Sequence, residues 1–355
     1  MISKLGTASI CFGILVIGCG GSSGGHSTTT VSGAGDFVQT NLVSDQAGIA
    51  AVHDVHLVNP WGIAYNPAGG PFWVSDNGTG VSTLYGSVGT IQPLVVEIPA
   101  AGGGKNGPVT GQVFNGTTDF QTGGLPTFFI FDSEDGLISA WNGGEVAEAV
   151  ADESASGAVY KGLALGVSGG ANFLYATNFH SGKIDVFDKT FTKTSSFTDK
   201  TLPAGFAPFG IANIGGKLFV TFAKQDAAKH DDVPGTGYGY VDVFQTNGTV
   251  MRRLISQGAL NAPWGLVQAP AGVGNVGGAL LVGNFGNGWI NAYDIPTGKA
   301  IGYLQNTTGQ PLAIDGLWGL IFGNNGEGGN AKTLYFTAGP DGETHGLFGS
   351  LHSSS

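Results

Sequence analysis

Charge is what this sequence has least of. Only 11% of its 355 residues are charged, against about a quarter in an average globular chain. Those few lean acidic, 25 Asp and Glu against 14 Lys and Arg, for a net charge of −11. The basic surface that nucleic-acid binding rests on is missing, which excludes that class of partner. Cysteine is scarcer still: Cys11 and Cys19 are the only two, both near the N-terminus. The body of the chain therefore has no disulfide, thiolate nucleophile or thiolate metal site. Beyond the N-terminus the apolar stretches are too short for helices, so no helix longer than a turn or two is expected. There is no serine elbow at a strand-to-helix turn, no His-Glu-x-x-His helix and no phosphate-binding loop.

Glycine, by contrast, is abundant at 64 residues, without the three-residue period of collagen. With 41% hydrophobic and 10% aromatic residues the chain can still bury a large core, so the glycines belong to turns and close approaches. One motif recurs at roughly fifty-residue intervals, as in a repeat architecture. It is Asn59-Pro60-Trp61-Gly62-Ile63-Ala64, with returns at Pro208-Phe209-Gly210-Ile211-Ala212, Ala262-Pro263-Trp264-Gly265-Leu266 and Gly316-Leu317-Trp318-Gly319-Leu320. Tyr160-Lys161-Gly162-Leu163-Ala164 is a weaker copy, and Pro108-Val109-Thr110-Gly111-Gln112 has the spacing without the aromatic. Each reads as a short strand, with proline at the first position, where its missing N–H costs least. The glycine leaves room for strands converging on a shared axis, and the neighbouring Trp or Phe is expected to fill the wedge between adjacent sheets.

Residues 1–18 have the form of an export signal: Lys4, then an apolar stretch through Ile17 too short to span a membrane. Val16-Ile17-Gly18-Cys19 resembles the lipobox of bacterial lipoproteins, which implies lipidation of Cys19 and a membrane anchor. Residues 19–35 are rich in Gly, Ser and Thr and read as a flexible tether. The expected location is outside the cytoplasm, on the periplasmic side or the cell surface.

Residues 36–352 read as successive groups of short strands, of which the last runs out after three. A lone strand at 37–43 has no hairpin partner nearby and would supply the missing fourth, removing an exposed edge. The expected fold is all-β: a six-bladed β-propeller whose N-terminal strand completes the last blade. The hairpins Phe72-Trp73-Val74-Ser75-Asp76 and Leu174-Tyr175-Ala176-Thr177-Asn178, with the Pro-Trp-Gly-Ile-Ala strands, resemble NHL-type and YWTD-type propeller repeats. More closely, Asn41-Leu42-Val43-Ser44-Asp45, Trp73-Val74-Ser75-Asp76-Asn77-Gly78 and Lys229-His230-Asp231-Asp232-Val233 resemble an uncharacterised family of exported bacterial propeller proteins. That resemblance implies a fold and no activity.

In a propeller, the loops entering the innermost strands and those between second and third strands open on one face. The first set offers Asn59, Asn261 and Asp315. The second offers Asp76, Asn77, Asp132, Glu134, Asn178, His180, Lys224, Asp226, His230, Asp231, Asp232, Asn284, Asp341, Glu343 and His345. Asp and Asn next to glycine are also what tight turns demand, which is the competing reading of each position. Taken together they suit a small ligand, or a hard cation such as Ca²⁺ with Asp76 and Asp315 as ligands. Six-bladed lactonases hold a cation at this location with residues of similar type, an analogy of fold alone. The insert from Ala223 to Gly239 gathers Lys224, Asp226, Lys229, His230, Asp231 and Asp232, with His230 the candidate general base or metal ligand. Binding of a small ligand, glycan or protein partner at the central funnel is the leading expectation. A calcium-dependent hydrolase or lyase and a structural surface role stay open beside it.

Overall fold

The computed structural model describes residues 33–354. The signal segment, Cys19 and most of the tether lie outside the described residues. Every copy of the glycine motif is a strand: Pro60–Tyr65, Val109–Phe114, Tyr160–Ser168, Phe206–Ile214, Pro263–Gln268 and Leu317–Phe322. Within these strands the pairing skips across the residues around the glycine, as between Pro60 and Ile63 or Pro263 and Leu266, so that pair bulges from the ladder. The reason for glycine is direct. A Cβ on Gly62 would strike the Thr110 carbonyl, one on Gly111 the Leu163 amide, and one on Gly265 the Trp318 carbonyl. Gly319 stands in the same relation to the Trp61 carbonyl, which returns the contact to its start and closes a ring of inner strands around an axis.

Each inner strand begins an antiparallel meander that runs outward. Four meanders are separate four-stranded sheets, beginning at Pro60, Val109, Tyr160 and Phe206. The rest form one nine-stranded sheet with two short ribbons elsewhere, so the fold is an all-β propeller whose hydrogen-bonded sheets do not number six. The N-terminal strand is the cause. Gly33–Ser44 pairs antiparallel with Leu347–Ser353, from Phe37 opposite Ser353 to Ser44 opposite Leu347, as expected for the closing strand. It begins at Gly33, ahead of the expected Phe37, and its first residues also pair in parallel with Ala300–Gln305. Gln305 Nε2 donates to Asp36 Oδ1 (2.6 Å) at that junction. One strand thus belongs to both neighbours and fuses the last two meanders.

The inner-strand aromatics do not sit in the wedges between sheets. Trp61, Phe209, Trp264 and Trp318 project to the axis and touch one another. Trp61 stacks on Trp318 at 3.5 Å between centroids, and Trp264 meets both edge-on at 5.9 and 5.7 Å. Such pairs add about 0.5–1.5 kcal/mol each beyond area burial. They plug the channel. The wedges are filled instead by second- and third-strand residues such as Trp73 stacked on Phe129 and Tyr85 on Phe348. Among the described residues the only α-helical segment is the four-residue turn Pro340–Glu343, with Asp341 and Gly342 at positive φ, which agrees with the expectation that no helix exceeds a turn or two. No described helix is long and apolar enough to cross a membrane.

Candidate functional site

The position before each repeated glycine faces the axis, and in the third copy it is Lys161. Its side chain is 2% exposed, which for an unpaired ammonium would cost several kcal/mol. Glu134 takes the ammonium by a short ion pair, and Asp231 Oδ1 lies 3.4 Å away. The indole of Trp61 and the ring of Phe179 lie 5.1 and 6.0 Å from Nζ, a cation–π floor. Burial works against the charged lysine, but Glu134, Asp231 and Asp232 outweigh it and hold the ammonium above its ordinary range. Lys161 is therefore a fixed positive charge, neither a base nor a nucleophile near neutrality.

From Lys161 a hydrogen-bonded chain crosses the channel mouth. Asn77 Nδ2 donates to Glu134 Oε2 (2.9 Å), and Asn59 Nδ2 donates to Asn77 Oδ1 (3.3 Å) and Glu343 Oε1 (3.1 Å). The indole N–H of Trp318 donates to Asn59 Oδ1 (3.1 Å) and that of Trp264 to the Lys161 carbonyl (2.7 Å). On the other side His230 Nδ1 lies 2.8 Å from Asp231 Oδ1. Burial pushes the Asp232 carboxyl up to about 7; Lys161 opposes this, while Glu343 and Asp231 add to it. Glu343 is raised by burial as well, against its bond from Asn59. Burial lifts Asp231 too, but His230 and Lys161 prevail and hold it low. Acidic groups outnumber the single buried cation, so the mouth accepts hydrogen bonds and positive charge.

The insert reaches this centre because its own polar residues fold it back. Asp226 Oδ1 accepts from the backbone N–H groups of His230 (2.9 Å) and Asp231 (3.3 Å). Asn261 Oδ1 accepts from Gly235 N–H (2.6 Å), and the Lys224 ammonium lies 4.1 Å from the Tyr238 ring. These three expected ligand residues shape the loop. Asn178 and Asn284 likewise bond backbone at hairpin ends, accepting from Ser181 and Asn261 N–H. His180 and Asp315 are exposed, and Asp315 accepts from Asp341 N–H (2.9 Å). Asp76 is fully buried in its sheet, where Thr83 Oγ1 donates to it (2.7 Å). Asp76 and Asp315 are thus separate from the cluster. Of the expected residues, Asn59, Asn77, His230 and Asp231 come together, with Glu134, Asp232 and Glu343 from the same loops. Lys161 was not foreseen; the only signal was a lysine where four of the other five copies carry Trp or Phe.

Among the described residues, one set of donors lies close enough to share a metal ion: Glu134, His230 and Asp231, with ligand atoms within 4.8 Å of one another. Ca²⁺ takes about six to eight oxygens, and this set offers two carboxylates and an imidazole. Lys161 already holds two of the three groups. The donors do not fit calcium. The open part of the channel is on the far side of the plug, a cavity of about 460 Å³ walled by inner-strand backbone and aliphatic side chains such as Ile63, Leu163 and Leu320. It has no charged lining residue. The charged groups gather at the mouth, not in this cavity.

No protein-family model matches the chain. Uncharacterized protein R648 of Acanthamoeba polyphaga mimivirus is 34% identical over 325 residues, covering 87% of this chain and 78% of R648. Among solved structures, streptogramin B lyase aligns with 90% of this chain and 97% of its own at a TM-score of 0.54 and 14% identity. XC5397 of Xanthomonas campestris, a gluconolactonase, aligns with 93% of each chain at 0.54 and 13% identity. At such identities the likeness is one of fold, the propeller. The relative is viral and lends no support to a bacterial origin.

Proposed function

The chain belongs to the family of the mimivirus protein R648, and we propose that it is a six-bladed propeller that binds a small cationic or hydroxyl-rich ligand at its channel mouth. Support for the blade count is the repeat: the nine-stranded sheet divides at the Ala300–Gln305 and Gly33–Ser44 junction into two meanders like the other four. The observation that carries the binding reading is the convergence of Asn59, Asn77, Glu134, Lys161, Asp231 and Glu343, contributed by different sheets, on one hydrogen-bonded centre. Turn chemistry alone keeps its bonds local, whereas these span up to 284 residues of sequence. The Asp231 side chain is 67% exposed and that of His230 46%, so the acceptor surface is within a ligand's reach.

The test is calorimetric titration with alkyl diamines and with polyols. Binding by the wild type that weakens at least tenfold in Glu343→Gln and Asp231→Asn, with circular dichroism unchanged, is the expected result. Heats identical in wild type and both folded variants would refute it. A second reading, a hydrolase or lyase, is favoured by the His230–Asp231 pair beside the fixed charge of Lys161, an arrangement suited to proton transfer next to a stabilised anion. It predicts turnover that His230→Gln abolishes.

The same reading keeps residues 1–18 as an export signal with Cys19 lipidated, on the support of residues 4–19 alone. Cys19→Ser then releases the protein from membranes; unchanged fractionation and processing refute the anchor.

A further inference from the structure

The mouth contains a cation already. Glu134, Asp231 and Asp232 share a small volume at the end of a plugged channel, and carboxylates brought together in this way need a neighbouring positive charge. A divalent ion or a basic side chain meets that need. The Lys161 ammonium touches Glu134 and Asp231, which are two of the three groups, with His230, that a metal ion would use. Metal and ammonium therefore compete for one place. The fold does not demand lysine there: the same repeat position is threonine at 110 and aromatic at 61, 209, 264 and 318. Lys161 is also walled in by Trp61 and Phe179 and has no route to solvent at 2% exposure.

We infer that Lys161 is the resident cation of the channel mouth. Its side chain occupies the place of a divalent ion, so the protein is metal-independent as it stands, and Glu134, His230 and Asp231 become a metal site once position 161 is uncharged. Two carboxylates and an imidazole suit Zn²⁺ or Mn²⁺ rather than calcium. The inference concerns the metal and stands apart from the ligand reading. Stoichiometric metal binding by the wild type would sink it and leave binding of diamines or polyols untouched.

The experiment titrates EDTA-treated protein with Zn²⁺ and Mn²⁺, following heat and melting temperature. Wild type and Lys161→Arg should bind no ion stoichiometrically and melt alike with or without EDTA. Lys161→Thr, which copies the residue at 110, should bind one ion at least 100-fold more tightly than wild type. That gain should vanish in Lys161→Thr combined with Glu134→Gln or His230→Gln, which separates the site from adventitious histidine binding elsewhere. If Lys161→Thr folds in Zn²⁺ but not in EDTA, the result supports the inference equally. A wild type that binds one ion through Glu134, a folded Lys161→Thr that binds none, or a Lys161→Thr that folds in neither condition overturns it.

Discussion

Replacing Asp132 with threonine should stabilise the protein, and more so at high pH than at low. In most meanders the second strand carries a side chain opposite the glycine bulge, Gly283 being the exception. Thr221 and Thr337 fill this position with a hydroxyl that accepts from Gly210 and Gly319 N–H, each at 2.8 Å. Asp132 makes the same bond with one oxygen, accepting from Gly111 N–H at 2.6 Å, while its Oδ2 is buried without a partner. Burial pushes this carboxyl from 3.8 up to about 7, against the bonds from Thr110 and Gly111. The folded state thus holds a proton that the unfolded chain releases, and stability is lost as pH rises from about 4 to about 7. At about 1.4 kcal/mol for each pH unit between those two values, the loss reaches about 4 kcal/mol by pH 8, of which about 1.5 is already gone at pH 5. Asp132→Thr keeps the bond to Gly111 without the charge. Its advantage over wild type should therefore grow by about 3 kcal/mol between pH 5 and pH 8. Urea unfolding of both proteins at the two pH values measures this. A gap that is the same at both, or that shrinks at pH 8, would refute the assignment of Asp132 as a buried, costly charge.

Gly319→Ala should cost toward the upper end of the about 1–3 kcal/mol typical of overpacking, because its Cβ meets the Trp61 carbonyl that closes the ring. Gly170→Ala, at a positive φ but with open space around it, should cost only about 1 kcal/mol; equal losses of melting stability would remove the ring argument. A chain starting at Ala47 loses the buried Phe37 and Val43 and bares the edge at Leu347–Ser353. It should aggregate or melt lower on size-exclusion and thermal analysis, and a melt like that of the full domain would refute closure by this strand. Binding of a diamine should weaken between pH 8 and pH 6, as Asp232 takes up its proton near pH 7 and loses its charge; affinity that is flat across that range would exclude Asp232 from the site.

The propeller was legible because its main constraint is local. Where two backbones must approach within contact, only glycine serves, and that requirement appears in the sequence as a glycine recurring at each inner strand, preceded by Trp or Phe in four of the six copies. The closing strand was legible for a similar reason, as a lone strand facing a meander short of one. Its second pairing was not. That depends on Gly33 and Asp36 meeting Tyr303 and Gln305, residues far apart in sequence that carry no shared pattern. The aromatics were misplaced because a large ring beside a glycine satisfies a wedge and an axis equally well; only the bulge, which turns the side chain inward, decides between them.

The same bulge explains why the site was half seen. Loop residues such as Asn59, Asn77, His230 and Asp231 could be gathered by topology alone, since the fold brings their loops to one face. Asp76 was misjudged because it ends the strand Phe72–Asp76 opposite Pro60, where its carboxyl turns inward to Thr83 instead of out to the mouth. Lys161 lies inside a strand, where polar residues are ordinarily read as solvent-facing. Yet in a repeat the position beside an obligatory glycine is free to differ between copies, because the glycine alone satisfies the packing. Trp, Thr, Lys, Phe, Trp and Trp at 61, 110, 161, 209, 264 and 318 are therefore choices about what fills the axis. Four apolar rings close it, and the one charged residue sets the electrostatics of everything above them.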